Sequence, residues 1–114
     1  MKPLKINQLS YGPIIEKTIQ KPALLVFGAV WDYDSRRMFD HLDKVADRFG
    51  DKLCVGYVDI DFTPEIFSEN KVYDLPVAIV YEDGKELKRI EVLKDVRQID
   101  ELVDYLFGIM PYQK

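Results

Sequence analysis

The sequence predicts an α/β fold: a central mixed sheet of four or five strands flanked by four helices. Three observations carry this. "ALLVFGAV" (23–30) and "KLCVGYVDI" (52–60) are continuous apolar runs of strand length, the signature of strands buried on both faces. Between them, Met38, Leu42, Val45, Ala46 and Phe49 fall at helical spacing. Near the end, "VAIVYE" (77–82) and "KELKRIEVL" (85–93) are joined by the tight turn "EDGK", as in a hairpin.

The elements follow in order. "LKINQL" (4–9) alternates weakly and reads as a strand, and "GPIIEKTIQ" (12–20) as a short helix with Pro13 in its first turn. The first apolar run is the next strand. The helix from Asp34 to Phe49 follows, with Gly50 as its stop. After the second run, Thr63 and Pro64 read as N-cap and first residue of a helix reaching about Asn70. The hairpin comes next. The last helix begins near Val96 and sets Ile99, Leu102, Val103, Leu106 and Met110 on one face. Each strand–helix–strand unit implies parallel strands, and the hairpin adds an antiparallel edge.

Composition narrows the function classes. The chain of 114 residues is 47% apolar and 32% charged, as expected of one soluble domain spanning 1–114. A net charge of −4, with no basic stripe, argues against nucleic acid as a partner. No apolar run reaches the roughly 18 residues of a membrane span. "MKPLKINQLS" lacks a signal-peptide core, so a cytoplasmic location is expected. Cys54 is the single cysteine; inside an apolar strand it reads as a small hydrophobe, and no internal disulfide is open to it.

"KPALLVFGAVWDYDSRRMF" and "VYDLPVAIVYEDGKEL" together resemble the thioredoxin fold over about residues 4 to 107. The first is similar to the segment in which a family strand runs into W-C-G-P-C and a helix. Trp31 takes the place of the motif tryptophan, Asp32 and Ser35 fall on the two cysteine positions, and Tyr33 and Asp34 lie between them. In the second, Pro76 takes the place of the family's cis-proline. "VDIDFTPEIF" is similar to the family's strand-to-helix join. A buried aspartate and a nearby lysine of the family align here with Val26 and Tyr57, and a groove glycine with about Glu91.

With the nucleophile, the resolving thiol and the proton relay all replaced, the resemblance implies a redox-inactive member that binds another protein or an extended peptide in a chaperone, assembly or scaffold role. The expected binding residues are Trp31, Asp32, Tyr33, Asp34, Ser35, Leu75 and Pro76. No catalytic residue, cofactor or metal is expected. The alternative is a divergent thioredoxin-family oxidoreductase working through Cys54 or an external thiol. The turn itself has two readings. Asp32 or Asp34 is an N-cap and an inert anion at a helix start, or the turn is also a docking surface. Glu91 in place of the groove glycine would add bulk and charge, so an ordinary client of the family would fit poorly and a basic or different partner is expected.

Other constellations weigh less. "DYD" (32–34) and "DID" (59–61) offer carboxylates but few further oxygen ligands for a hard cation. Ser35 and His41 are six residues apart and point in different directions, so no hydrolase triad follows, and His41 reads as a surface residue. Arg36–Asp40 and Asp40–Lys44 have the i,i+4 spacing of a solvated helix face, and Arg36 and Arg37, beside the turn, could bind an acidic partner. The ending "LFGIMPYQK" leaves open a monomer or a weak homodimer.

Overall fold

The computed structural model describes residues 2–108. Met110, which the sequence places on the last helix face, lies outside the described residues. The element order is β1 (Leu4–Ile6), α1 (Gln8–Lys17), β2 (Ala23–Gly28), α2 (Tyr33–Phe49), β3 (Cys54–Asp59), α3 (Pro64–Glu69), β4 (Val77–Glu82), β5 (Lys85–Ile90) and α4 (Val96–Leu106). The strands form one five-stranded mixed sheet in the order β1-β3-β2-β4-β5.

Strand β2 is central and buried at all six positions. Its side chains alternate between two cores. Leu24 and Val26 pack with Met38, Leu42, Val45 and Ala46 of α2 and with Ile99, Leu102 and Val103 of α4. Ala23, Leu25 and Phe27 pack with Ile66 and Phe67 of α3, with half-buried Tyr11, Ile14 and Ile15 of α1 against them. The unbroken apolar run thus follows from a strand sandwiched between helix layers. Each fully buried Leu, Ile, Met or Phe contributes roughly 1.5–3 kcal/mol of burial.

Five readings need correction. Helix α1 begins at Gln8, because Asn7 caps it: its side chain accepts from the Leu9 and Ser10 amides at 2.9 Å, and the Ser10 hydroxyl takes the Asn7 amide in return. That box outweighs the alternation that read residues 7–9 as strand, and it leaves Pro13 inside the helix. Thr63 precedes α3 but makes no side-chain cap; its hydroxyl donates to the Asp59 carbonyl at 3.0 Å. His41 is not a surface residue: its side chain is 12% exposed and its Nε2 lies 2.8 Å from Asp100 Oδ1 of α4. Helix α2 carries the ion pairs Asp34–Arg37 and Arg48–Asp104, and among the described residues Arg36–Asp40 and Asp40–Lys44 do not form.

A further correction concerns direction. β2 runs parallel to β3, and β1 runs parallel to β3, but β4 runs antiparallel to β2. The connecting helix α3 has six residues, a rise of only about 9 Å. A six-residue strand is roughly 20 Å long. So short a helix cannot return the chain to the start of the sheet, and β4 begins at the end where β3 stopped. The pairing of Phe27 with Val77 fixes the result: Gly28 and Pro76 meet at the same end of neighbouring strands.

At the far end, the β4–β5 hairpin turns through Asp83 (φ 57°) and Gly84 (φ 81°). Two consecutive positive φ values are what a two-residue type I′ turn requires, and "DG" supplies them.

Candidate functional site

The loops after β2, β3 and β5 and the loop before β4 all open at one end of the sheet. The first carries Val30, Trp31 and Asp32. The Asp32 amide bonds the Ala29 carbonyl at 3.0 Å, turning the chain sharply before α2. Trp31 and Tyr33 are 65% and 67% exposed, whereas Ser35, one helical turn on, is fully buried. Asp32 is the N-cap of α2 in extended conformation. Its Oδ2 accepts from the Ser35 amide at 2.9 Å and from the Ser35 hydroxyl at 2.7 Å. The carboxylate therefore caps the helix and satisfies a buried hydroxyl together.

Asp34 takes a different role. It pairs with Arg37 Nη1 at 2.9 Å, and Arg37 Nη2 also reaches the Lys94 carbonyl at 3.5 Å in the β5–α4 loop. The Arg37 guanidinium lies 5.8 Å from the Tyr33 ring centroid. The start of α2 is thus tied to the neighbouring loop.

Gly28 has a packing reason. A Cβ there would sit 2.5 Å from Ser35 Oγ and 2.7 Å from Ser35 Cβ. Behind the turn, Val26 is fully buried, and the Tyr57 ring packs at a tilt of 39° against Phe39 with centroids 4.9 Å apart. Neither position carries an aspartate or a lysine.

The Leu75–Pro76 peptide bond is cis. Pro76 is buried and Leu75 half-buried. Among the described residues, no backbone hydrogen bond engages Leu75. Residues Asp74–Pro76 face Glu91–Lys94 across a groove of about 260 Å³. The structure thus gathers Trp31, Asp32, Tyr33, Asp34, Ser35, Leu75 and Pro76 at one end, with Ser35 and Pro76 beneath the surface rather than on it.

Several residues of this end were missed in the sequence. Tyr73 is 80% exposed, and Phe62 and Val92 are exposed as well. Their signal was an apolar residue inside each of the polar stretches "DFTPE", "KVYDLP" and "EVLKD". Asp59, where β3 ends, is buried; its Oδ1 accepts from the Asp61 amide at 3.1 Å and its Oδ2 finds no partner. In "DYD" both carboxylates are engaged locally, Asp32 by Ser35 and Asp34 by Arg37. Among the described residues, no group of three or more His, Cys, Asp or Glu side chains is placed to hold a metal ion.

Cys54 stands apart. It begins β3 opposite Ala23, a whole strand length from the turn that follows Gly28. Burial pushes its thiol above the ordinary range, and Lys21 and Lys17 only partly oppose that.

Comparison with known proteins follows the same lines. A family model described as Thioredoxin matches residues 2–106. Thioredoxin X, chloroplastic, of Arabidopsis thaliana is 34% identical over 83 residues, covering 73% of this chain and 45% of that protein. Thioredoxin Y, chloroplastic, of Oryza sativa subsp. japonica is 27% identical over 95 residues, covering 83% and 56%. The chain therefore spans about half the length of these two relatives. The thioredoxin of Alicyclobacillus acidocaldarius is 29% identical over 87 residues and covers 75% and 83%. Among solved structures, Plasmodium falciparum thioredoxin superposes with a TM-score of 0.79 at 17% identity, covering 89% of this chain and 96% of that one. Oxidized mitochondrial thioredoxin 3 of Saccharomyces cerevisiae gives 0.78 at 19%, covering 90% and 93%. These two likenesses are of fold.

Proposed function

The chain belongs to the thioredoxin family, and from that premise we propose that it binds another protein in extended form and exchanges no electrons with it. The observation that carries this is the closed Asp32–Ser35 pair at the start of α2. Thiol–disulfide exchange needs a thiolate to attack and a second thiol to resolve the mixed disulfide. At the corresponding positions stand a carboxylate and a hydroxyl bonded to each other. A carboxylate suits a helix start for the reason a thiolate does: free N–H groups and the helix dipole favour an anion. It forms no bond to sulfur.

The binding half of the reading rests on what the same end still offers. Leu75 has backbone groups open to an added strand, next to Pro76 and beside the exposed Trp31 and Tyr33. Strand addition draws affinity from main-chain hydrogen bonds, and exposed aromatic side chains are common anchors.

The rival reading, an oxidoreductase acting through Cys54, takes its support from the names of the relatives. The raised thiol and its place at the opposite end of β3 weigh against it.

Affinity capture from native lysate, with wild type beside Trp31→Ala, tests the binding reading. Trp31 is exposed, so its replacement should leave the melting temperature nearly unchanged. Proteins retained by wild type should be lost from the variant. An identical set on both would remove this face from consideration.

A further inference from the structure

The groove between residues 74–76 and 91–94 carries information about the kind of segment that fits. Its volume of about 260 Å³ equals the liquid share of roughly nine waters at ~30 Å³ each, room for one long side chain. Leu75, Val92 and Leu93 line it with apolar surface, and Asp74 and Glu91 place a carboxylate on each wall. We propose that the bound segment is basic: an extended peptide that places a Lys or Arg side chain in this groove and lays neighbouring apolar residues on Trp31, Tyr33 and Tyr73. This rests on the peptide-binding reading above and adds the chemistry of the peptide.

The charge on the walls is poorly neutralised from within. The cation nearest Glu91 is Arg89, whose Nη1 is 4.0 Å from Glu91 Oε2. Arg89 is already committed to Glu86, with contacts of 2.8 and 2.6 Å, and to the Asn70 carbonyl at 2.8 Å and the Lys71 carbonyl at 3.3 Å. Among the described residues, Asp74 makes no hydrogen bond or ion pair; Lys94 is the one basic residue that lines the groove, and Arg37, at the Lys94 carbonyl, is already paired with Asp34. Two carboxylates against one ammonium leave the groove net acidic.

A long basic side chain meets this environment at both ends. Its methylene stem packs on Leu75, Val92 and Leu93, while its charged head reaches the carboxylates. An acidic segment would bring like charge against both walls, which disfavours it. The exposed rings of Trp31, Tyr33 and Tyr73 accept further cations or apolar side chains at the same end.

Selection from a displayed library of random dodecapeptides, using wild type, Asp74→Lys/Glu91→Lys and Trp31→Ala, tests the proposal. Wild type should enrich peptides with a Lys or Arg among β-branched and aromatic residues, and the charge-swapped variant should enrich Asp and Glu instead. The affinity of a selected basic peptide, read by Trp31 fluorescence, should fall about tenfold in the milder Asp74→Asn/Glu91→Gln variant and should weaken as salt rises. The milder variant decides the matter if the charge swap fails to fold. Wild-type enrichment without charge preference, lost in Trp31→Ala, would overturn the basic segment and leave peptide binding standing. No enrichment by wild type over Trp31→Ala would overturn both.

Discussion

Asp32 and Ser35 form a closed pair: one carboxylate oxygen accepts from both the amide and the hydroxyl of Ser35, at 2.9 and 2.7 Å. Asp32→Ala removes the cap of α2 and strands a buried hydroxyl. The expected loss is about 2 kcal/mol, about 1 from the cap and a similar amount from the unpartnered hydroxyl. Asp32→Asn keeps an acceptor and should lose well under half of that. Urea denaturation of the two variants measures the difference.

Gly28 is expected to tolerate no larger residue while Ser35 is present. Gly28→Ala drives a methyl group into Ser35 Oγ and Cβ and should cost roughly 1–3 kcal/mol, the usual range for overpacking. The double variant Gly28→Ala/Ser35→Gly removes both clashing atoms. Its loss should be smaller than the sum of the two single losses, a coupling that a double-mutant cycle reads directly.

The fold was legible where apolar patterning decides it. The two unbroken runs became β2 and β3, the spacing from Met38 to Phe49 became the buried stripe of α2, and "EDGK" became a turn with Asp83 and Gly84 at positive φ. What escaped depends on single hydrogen bonds or on length. Asn7 reads as a strand residue until its side chain is seen closing a box with Ser10. Thr63 has the identity of a cap but gives its hydroxyl to Asp59. His41 is polar and lies on a charged helix, so its burial against Asp100 depends on where α4 packs. The Asp32–Ser35 pair was half legible. Aspartate at a helix start announces a cap, but the buried hydroxyl on the same oxygen needs the three-dimensional turn. The groove was less legible still: the hairpin sets residues 74–76 beside 91–94, but that Asp74 and Glu91 line one groove depends on how the two loops beyond it fold.

His41 offers a test that separates scaffold from binding face. Its Nε2 is 2.8 Å from Asp100, joining α2 to α4 away from the exposed aromatic end. His41→Ala should cost about 1 kcal/mol in denaturation, the net worth of one such bond. The affinity for a peptide selected by wild type should be unchanged, measured by Trp31 fluorescence.

Alkaline stability should depend on Tyr81. Burial first, then the Tyr11 hydroxyl beside it, pushes its phenol well above the ordinary range. The folded chain therefore holds this proton more tightly than the unfolded chain does. That stabilisation is fully present below the unfolded pKa of about 10 and is progressively lost as pH rises above it, toward the raised folded value. The urea midpoint of wild type should fall above about pH 10, and Tyr81→Phe should show a shallower fall over the same window.

The central claim is that this family member holds its partners without trading electrons. Reduction of insulin disulfides by a dithiol, followed as turbidity with and without the protein, tests it most directly. The account predicts wild-type curves that superimpose on the uncatalysed reaction. Turnover above that background, abolished by Cys54→Ser, would contradict it.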